Sequence, residues 1–148
     1  MQPGMEIDFG GVGKEYAVSL IAEQFRHRIP NLSCLINLGG DIQITCPRED
    51  HQCWNVGIEN SAQAIALKEG ALATSGDAKR YLLKNGKRYS HILNPKTGWP
   101  VPNGPASVTV HSPLCVQAGS LATLALLQGK HAEEFLKEQD VQYWCTHK

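Results

Sequence analysis

The dipeptide Asn85-Gly86 constrains the fold more than any other short segment of this chain, because it stands between two arms of alternating apolar and polar residues. A two-residue turn of this composition is typically type I′, which requires a positive φ at both positions and joins antiparallel strands. The arms are residues 79–84 and 87–93. The sequence therefore predicts a β-hairpin here and antiparallel pairing between neighbouring strands.

Two further hairpins are predicted before this one. The first turns at Gly39-Gly40 and the second near Asn60-Ser61, each between short apolar segments. Later extended segments lie at residues 71–77, 106–112 and 141–146. The first of these is expected to end in a loop of Ser, Gly and Asp. Short strands joined by tight turns thus account for much of the chain.

A helix is predicted over residues 14–27, where side chains at three- and four-residue spacing fall on one face, and Pro30 ends it. The residues on that face are Ala17, Leu20, Ile21, Gln24 and Phe25. An apolar helix is predicted over residues 115–129, closed by Gly129, and a short polar helix over residues 131–138. Three helices are therefore expected among the strands.

The order of elements favours the α+β class, with a mainly antiparallel sheet that carries helices on one face. A length of 148 residues is typical of one domain, so a single domain over 1–148 is expected. Lys plus Arg and Asp plus Glu each number 14. This balance gives no basic excess for nucleic acid.

Membrane and export signals are not found in the sequence. No window approaches the roughly 18 uninterrupted apolar residues of a membrane-spanning helix. The first residues lack a basic stretch followed by a long apolar run, so no secretory signal is recognised in this chain. The compartment stays open.

The five cysteines match no CxxC spacing, and their odd number leaves at least one thiol unpaired within a monomer. Cys34, Cys46 and Cys145 lie in apolar, strand-like segments, where a free thiol behaves as a small hydrophobic group. We therefore expect structural cysteines.

Three segments rich in small residues are candidate ligand loops: "DFGGVGKEYAV" at residues 8–18, "NLGGDI" at residues 37–42 and "ATSGD" at residues 73–77. Glycine lets a backbone approach a ligand closely, and free N–H groups at a helix start favour anions. None of the segments matches GxGxxG or the phosphate-binding P-loop. Each segment alone is also compatible with a tight turn whose polar side chains bond their own backbone, and for the first segment taken alone we favour the turn.

A fourth segment, "YSHILNPKTGWPV" at residues 89–101, places His91 at the end of a predicted strand and just before a turn. Histidine is the side chain that most readily exchanges a proton near neutral pH, so it is the usual general base. The alternative is a hydrogen-bonded histidine in an ordinary hairpin.

Together, and in this order, the four segments resemble the motifs of the ApbE family of FAD:protein FMN transferases. The resemblance covers Asp8 to about Gly129 and corresponds to the C-terminal portion of the family. It implies an ApbE-like fold, FAD as substrate and Mg²⁺ as metal. It also implies transfer of FMN, through a phosphoester bond, to a Thr or Ser of a partner flavoprotein. Acceptors in this family are subunits of membrane electron-transfer complexes, and the family is typically periplasmic or membrane-anchored.

The resemblance also implies roles for individual residues. His91 matches the proposed catalytic base, and Gly13 (through its carbonyl) and Thr123 match metal ligands. The positions that match cofactor-binding residues are Gly10, Gly11, Lys14, Asn37, Gly39, Gly40, Asp41, Thr74, Ser75, Gly76, Asp77 and Arg80. For Lys14 the sequence leaves two partners open, a phosphate or an acidic side chain.

The chain departs from the family motifs at three positions. Gly119 stands where the metal-binding aspartate is expected, Glu15 replaces a glycine and Ser19 replaces an aspartate. The N-terminal half of the family is not matched, so an oligomer or a separate N-terminal segment is a further expectation. These departures keep a second function open: a catalytically impaired relative that binds a flavin, a nucleotide or a protein. If the alignment is right, restoring Gly119→Asp is expected to raise metal affinity.

Overall fold

The computed structural model describes residues 2–58, 63–77 and 81–147. These residues form three α-helices and nine β-strands. The helices are α1 (Gly13–Arg28), α2 (Cys115–Leu127) and α3 (Ala132–Glu138). The strands are β1 (Leu35–Leu38), β2 (Asp41–Ile44), β3 (Trp54–Gly57), β4 (Ala64–Leu67), β5 (Ala71–Gly76), β6 (Tyr81–Lys84), β7 (Lys87–Ser90), β8 (Ser107–Ser112) and β9 (Gln142–Thr146).

Five strands form the main sheet in the order β1-β2-β5-β8-β9, and every neighbouring pair is antiparallel. The β3–β4 and β6–β7 pairs form separate two-stranded sheets. This architecture confirms the α+β class. Within the described part of the chain, none of the helices combines the length and apolar character needed to cross a membrane.

One face of the main sheet packs against the helices through small side chains. Ala71 and Ala73 of β5, with Val108 and Val110 of β8, are fully buried in this layer. The helix residues in the same cluster are Val18, Cys115, Ala118, Ala122, Ala125, Ala132 and Leu136. Alanine at so many of these positions lets the α2 backbone lie close to the central strands.

The β3–β4 hairpin packs against part of the opposite face of the sheet. Ile42, Ile44 and Leu72 of the sheet form a second buried cluster with Leu67 of β4, and Trp54 of β3 packs against it. Side chains alternate across a strand, which is why Leu72 faces this hairpin while its neighbours face α2. The sequence predicted the helix layer but not this second layer.

Helix α1 packs against the rest of the protein through a different face from the one that the spacing of its apolar residues predicts. Val18 and Ala22 are fully buried, whereas Leu20 and Ile21 remain 42% and 36% exposed. With Phe25 they line a shallow apolar groove on the outer side of the helix. The small residues face inward because they permit closer packing against the sheet and α2.

Of the predicted turns, one is confirmed by the structure and another is wrong. Asn85 and Gly86 have φ values of 53° and 71°, which confirms the predicted type I′ hairpin. The predicted Ser-Gly-Asp loop is wrong, because Ser75 and Gly76 still pair with β8 and only Asp77 follows the strand. The predicted turn at Asn60-Ser61 lies outside the described residues.

Gly76 allows β5 to stay paired with β8 up to its last residue. A Cβ built at this position would lie 2.5 Å from the Cβ of Ser107 and 2.7 Å from the carbonyl oxygen of Ala106. Only glycine allows β5 and β8 to approach this closely. Gly76 therefore serves strand pairing in this structure.

Candidate functional site

The residues predicted to bind the nucleotide lie on both faces of the main sheet. Thr74 and Ser75 are consecutive in β5 and so point in opposite directions. The Thr74 hydroxyl lies 2.8 Å from that of Thr109, on the hairpin side. The Ser75 hydroxyl lies 2.7 Å from that of Thr123 in α2, on the helix side. The motif "ATSGD" thus supplies two separate surfaces.

A groove of about 640 Å³ lies between the main sheet and the β3–β4 hairpin. It collects four of the predicted residues: Asn37, Gly39, Gly40 and Thr74. The two glycines have positive φ values of 67° and 102°, with open space where a side chain would stand. Asn37 accepts the Gly40 N–H through Oδ1 at 2.9 Å, which fixes the turn at the mouth of this groove.

On the helix side, Lys14 of α1 donates to the Asp41 carboxylate of β2. The Asp41 side chain is only 4% exposed, and the Lys14 side chain is 52% exposed. Of the two partners that the sequence left open for Lys14, this structure shows the acidic side chain.

The first glycine segment forms a local turn. Gly10 donates its N–H to Asp8 Oδ1 at 2.7 Å, and a side chain at Gly11 would meet open space. Gly13 is the first residue of α1. By the ordinary helix pattern its carbonyl accepts one intrahelical bond and keeps a second lone pair. The described contacts favour the turn interpretation for Gly10.

Gln43 is a central polar residue that the sequence analysis missed. It is fully buried in β2, accepts the Cys115 N–H at 2.9 Å and donates to the Pro113 carbonyl at 2.9 Å. Ser19 accepts the next helix N–H, that of Val116, at 3.3 Å. Leu114, the N-cap residue of α2, makes no capping hydrogen bond through its side chain. Gln43 and Ser19 instead accept N–H groups of the first turn of α2. The available signal was a glutamine between two isoleucines, on the same side of the strand as Asp41.

Glu15 occupies the space beside Gly119. Glu15 is 7% exposed, and its Oε2 atom has no hydrogen-bond partner among the described residues. A Cβ built on Gly119 would lie 2.7 Å from Glu15 Cγ and 3.0 Å from Glu15 Oε1. The substitution Gly119→Asp therefore has to displace Glu15 before the new carboxylate can take its place.

A second groove, of about 700 Å³, lies beyond the ends of β5 and β8. Asp77 and Arg88 line it. Arg88 donates to the Asp77 carbonyl, and its Nε lies 3.5 Å from Asp77 Oδ2. The Arg88 guanidinium also stacks 3.8 Å from the centre of the Tyr81 ring. Arg80, the predicted cation, lies outside the described residues, and Arg88 is the cation that the structure brings to Asp77.

His91 is exposed and directly follows β7. Its neighbours Ser90 and Ile92 line the second groove, whereas His91 is not among the lining residues in the described chain. The following segment folds back, with the Gly98 N–H bonded to the Asn94 carbonyl at 2.8 Å. The residues after His91 therefore form a turn, and part of this segment borders the groove. The catalytic role of His91 stays a prediction.

The thiols of Cys115 and Cys145 are expected to react slowest in the folded protein. Burial, followed by the nearby charges of Asp41 and Glu15, raises the pKa of the Cys115 thiol to about 12. Burial and Glu133 raise the pKa of Cys145 to about 11. Because the thiolate is the reactive form, a raised pKa lowers reactivity at pH 8. Alkylation kinetics followed by peptide mass spectrometry test this, with Cys53 as the reference. Equal rates for Cys115 and Cys53 in the folded protein, rather than only after denaturation, would contradict it.

The sequence is similar to one protein family and to curated proteins that share one name. The model of the ApbE family matches residues 1–145. A FAD:protein FMN transferase of Vibrio cholerae is 32% identical over 136 residues, 86% of this chain and 40% of that protein. One from Klebsiella pneumoniae is 35% identical over 118 residues, 75% of this chain and 35% of that protein.

Solved structures agree with these sequence matches. The ApbE protein of Thermotoga maritima superposes with a TM-score of 0.85 at 31% identity, covering 97% of this chain and 49% of that one. The flavin transferase ApbE of Vibrio cholerae gives a TM-score of 0.82 at 26% identity, covering 97% and 47%. The chain thus spans less than half the length of these relatives.

Proposed function

The chain belongs to the ApbE family, and on that premise we propose that it acts as a FAD:protein FMN transferase. The reaction moves FMN from FAD to a threonine or serine hydroxyl of a partner flavoprotein. The observation that carries this proposal is the family match over residues 1–145, a range that includes all four sequence motifs.

The chemistry of the transfer is a displacement at phosphorus. The acceptor oxygen forms a bond to the phosphorus of the FMN half, and the bond to the bridging oxygen of the diphosphate breaks. AMP leaves with that oxygen. The acceptor hydroxyl loses its proton in this step, and a base within hydrogen-bond reach speeds it. We assign this role to His91, whose exposed position beside the groove leaves it accessible to an incoming protein.

The two grooves supply the proposed contacts to FAD. Their volumes, about 640 and 700 Å³, are in the usual range of ligand sites. Asn37 and Thr74 offer polar atoms in the first groove, and Asp77 with Arg88 in the second.

The donor atoms on the helix side fit Mg²⁺. A hard cation prefers oxygen ligands. Glu15, which has a carboxylate oxygen with no partner among the described residues, lies against Gly119 of α2, and Thr123 carries a hydroxyl one turn further along the same helix. The Gly13 carbonyl lies at the start of the same helix as Glu15. When bound, the metal neutralises negative charge on the diphosphate.

We further propose that the acceptor is a flavoprotein subunit of a membrane electron-transfer complex, as the family resemblance implies. Such an acceptor has to present a hydroxyl to an exposed base. The position of His91 on a hairpin outside the main sheet suits that requirement.

An assay for covalent flavin tests the function. The protein is incubated with FAD, Mg²⁺ and a peptide carrying the acceptor threonine, and the peptide is examined for flavin fluorescence after denaturation. Fluorescence on the peptide that depends on enzyme and FAD is expected. Binding of FAD with no transfer under any metal condition would instead favour a flavin-binding relative.

A further inference from the structure

Glu15 is a buried carboxylate with which no described residue forms an ion pair. Its Oε2 atom has no hydrogen-bond partner within the described part of the chain. The adjacent cation, Lys14, is already bonded to Asp41. Glutamate is almost never this buried unless it is paired, because an unpaired charge loses its hydration without compensation. The position in the first turn of α1 is electrostatically favourable for a carboxylate, but this weak effect does not take the place of a partner.

The absence of a side chain at Gly119 gives the carboxylate its place. Glu15 Oε1 lies 3.0 Å from where a Gly119 Cβ would stand. Thr123 follows Gly119 by four residues and so lies on the same face of α2, one turn away. Its hydroxyl is bonded to that of Ser75. The Glu15 carboxylate from α1 therefore lies against α2 one helical turn from a pair of hydroxyls contributed by α2 and β5.

We propose that Glu15 is the acidic ligand of a divalent-cation site between α1 and α2, with the Thr123 hydroxyl as a second ligand. Two departures from the family motif meet at this contact. Glu15 puts the carboxylate on α1 where the motif has a glycine, and Gly119 puts the glycine on α2 where the motif has an aspartate. The cation is of the Mg²⁺ class, which binds through one or two carboxylates and keeps several waters. Among the described residues, no group of three His, Cys, Asp or Glu side chains is placed to hold a metal, so the other ligands would be hydroxyl oxygen and water.

Binding of Mn²⁺, a hard cation that substitutes for Mg²⁺ and is visible by electron paramagnetic resonance, tests the site without FAD or acceptor. The unsubstituted protein is expected to deplete the free Mn²⁺ signal, and Glu15→Gln to weaken binding about tenfold or more. Glu23→Gln is the matched control, since Glu23 lies on α1 with a side chain that is 60% exposed. It should bind as the unsubstituted protein does.

The exchange of positions gives a second, sharper test. Glu15→Gly combined with Gly119→Asp is expected to bind Mn²⁺ within about threefold of the unsubstituted protein. Gly119→Asp alone should lower the unfolding temperature, because the new side chain collides with Glu15. Without metal, Glu15→Gln should leave the unfolding temperature unchanged or raised, and it should abolish the increase that Mn²⁺ causes.

The proposed metal site rests on the proposed function only for the identity of the metal. The two can therefore fail separately, and the experiments tell the two failures apart. Equal Mn²⁺ affinity in Glu15→Gln and the unsubstituted protein, or no binding by the unsubstituted protein, would overturn the site. Mn²⁺ binding that depends on Glu15, in a protein that transfers no FMN, would overturn the function alone.

Discussion

Replacement of His91 by alanine is expected to lower the rate of FMN transfer by about 10²–10⁴-fold, the usual contribution of a general base. Affinity for FAD should change little, because the side chain is exposed and the groove is lined by its neighbours Ser90 and Ile92. Single-turnover transfer to an acceptor peptide measures the first quantity, and quenching of flavin fluorescence on binding measures the second.

The control is His27→Ala, because His27 lies at the end of α1 with a side chain that is 74% exposed. Its transfer rate should match that of the unsubstituted protein. His91→Gln keeps a polar side chain but offers no comparable base, so it should be as slow as His91→Ala. A rate within twofold of the unsubstituted protein for His91→Ala would remove this residue from the mechanism.

Replacement of Gln43 by leucine is expected to destabilise the fold by about 2–5 kcal/mol. The size of the side chain is nearly kept, but the buried Cys115 N–H loses its acceptor and the partly buried Pro113 carbonyl loses its donor. Each buried polar group left without a hydrogen bond costs about 1–3 kcal/mol. Urea denaturation followed by circular dichroism should show a lower midpoint with an unchanged slope.

Gln142→Leu provides the comparison for that measurement. Gln142 is exposed in β9, an edge strand of the main sheet, so its replacement should change stability by no more than about 0.5 kcal/mol. If Gln43→Leu proved as mild as Gln142→Leu, the contacts of Gln43 would not hold the start of α2 in place.

Local signals in the sequence predicted the elements well. Asn85-Gly86 specified its hairpin because a positive φ at both positions leaves few alternatives. The turn at Gly39-Gly40, the helices and the last strand follow from equally local patterns. The motif at residues 73–77 was the exception: glycine suggested a loop, but at Gly76 it serves the close approach of two strands.

Contacts between distant parts of the chain were beyond the reach of these patterns. Alternation along a strand puts Thr74 and Ser75 on opposite faces, but what each face meets depends on which layers cover the sheet, and no local pattern gives that. The meeting of Glu15 with Gly119 joins residues more than a hundred positions apart. In the sequence alone, Glu15 and Gly119 each look like the loss of a functional residue. In the structure, the Glu15 carboxylate lies in the space that a side chain at position 119 would fill.

The most direct test of the proposed transferase activity is to quantify AMP and FMN-bearing acceptor in the same reaction. Because the displacement breaks one diphosphate bond for each phosphoester formed, the two products should appear in equal amounts, and both should be lost in His91→Ala. Acceptor that remains unmodified while FAD stays intact, with the protein folded and supplied with Mg²⁺, would contradict the proposal that this chain transfers FMN.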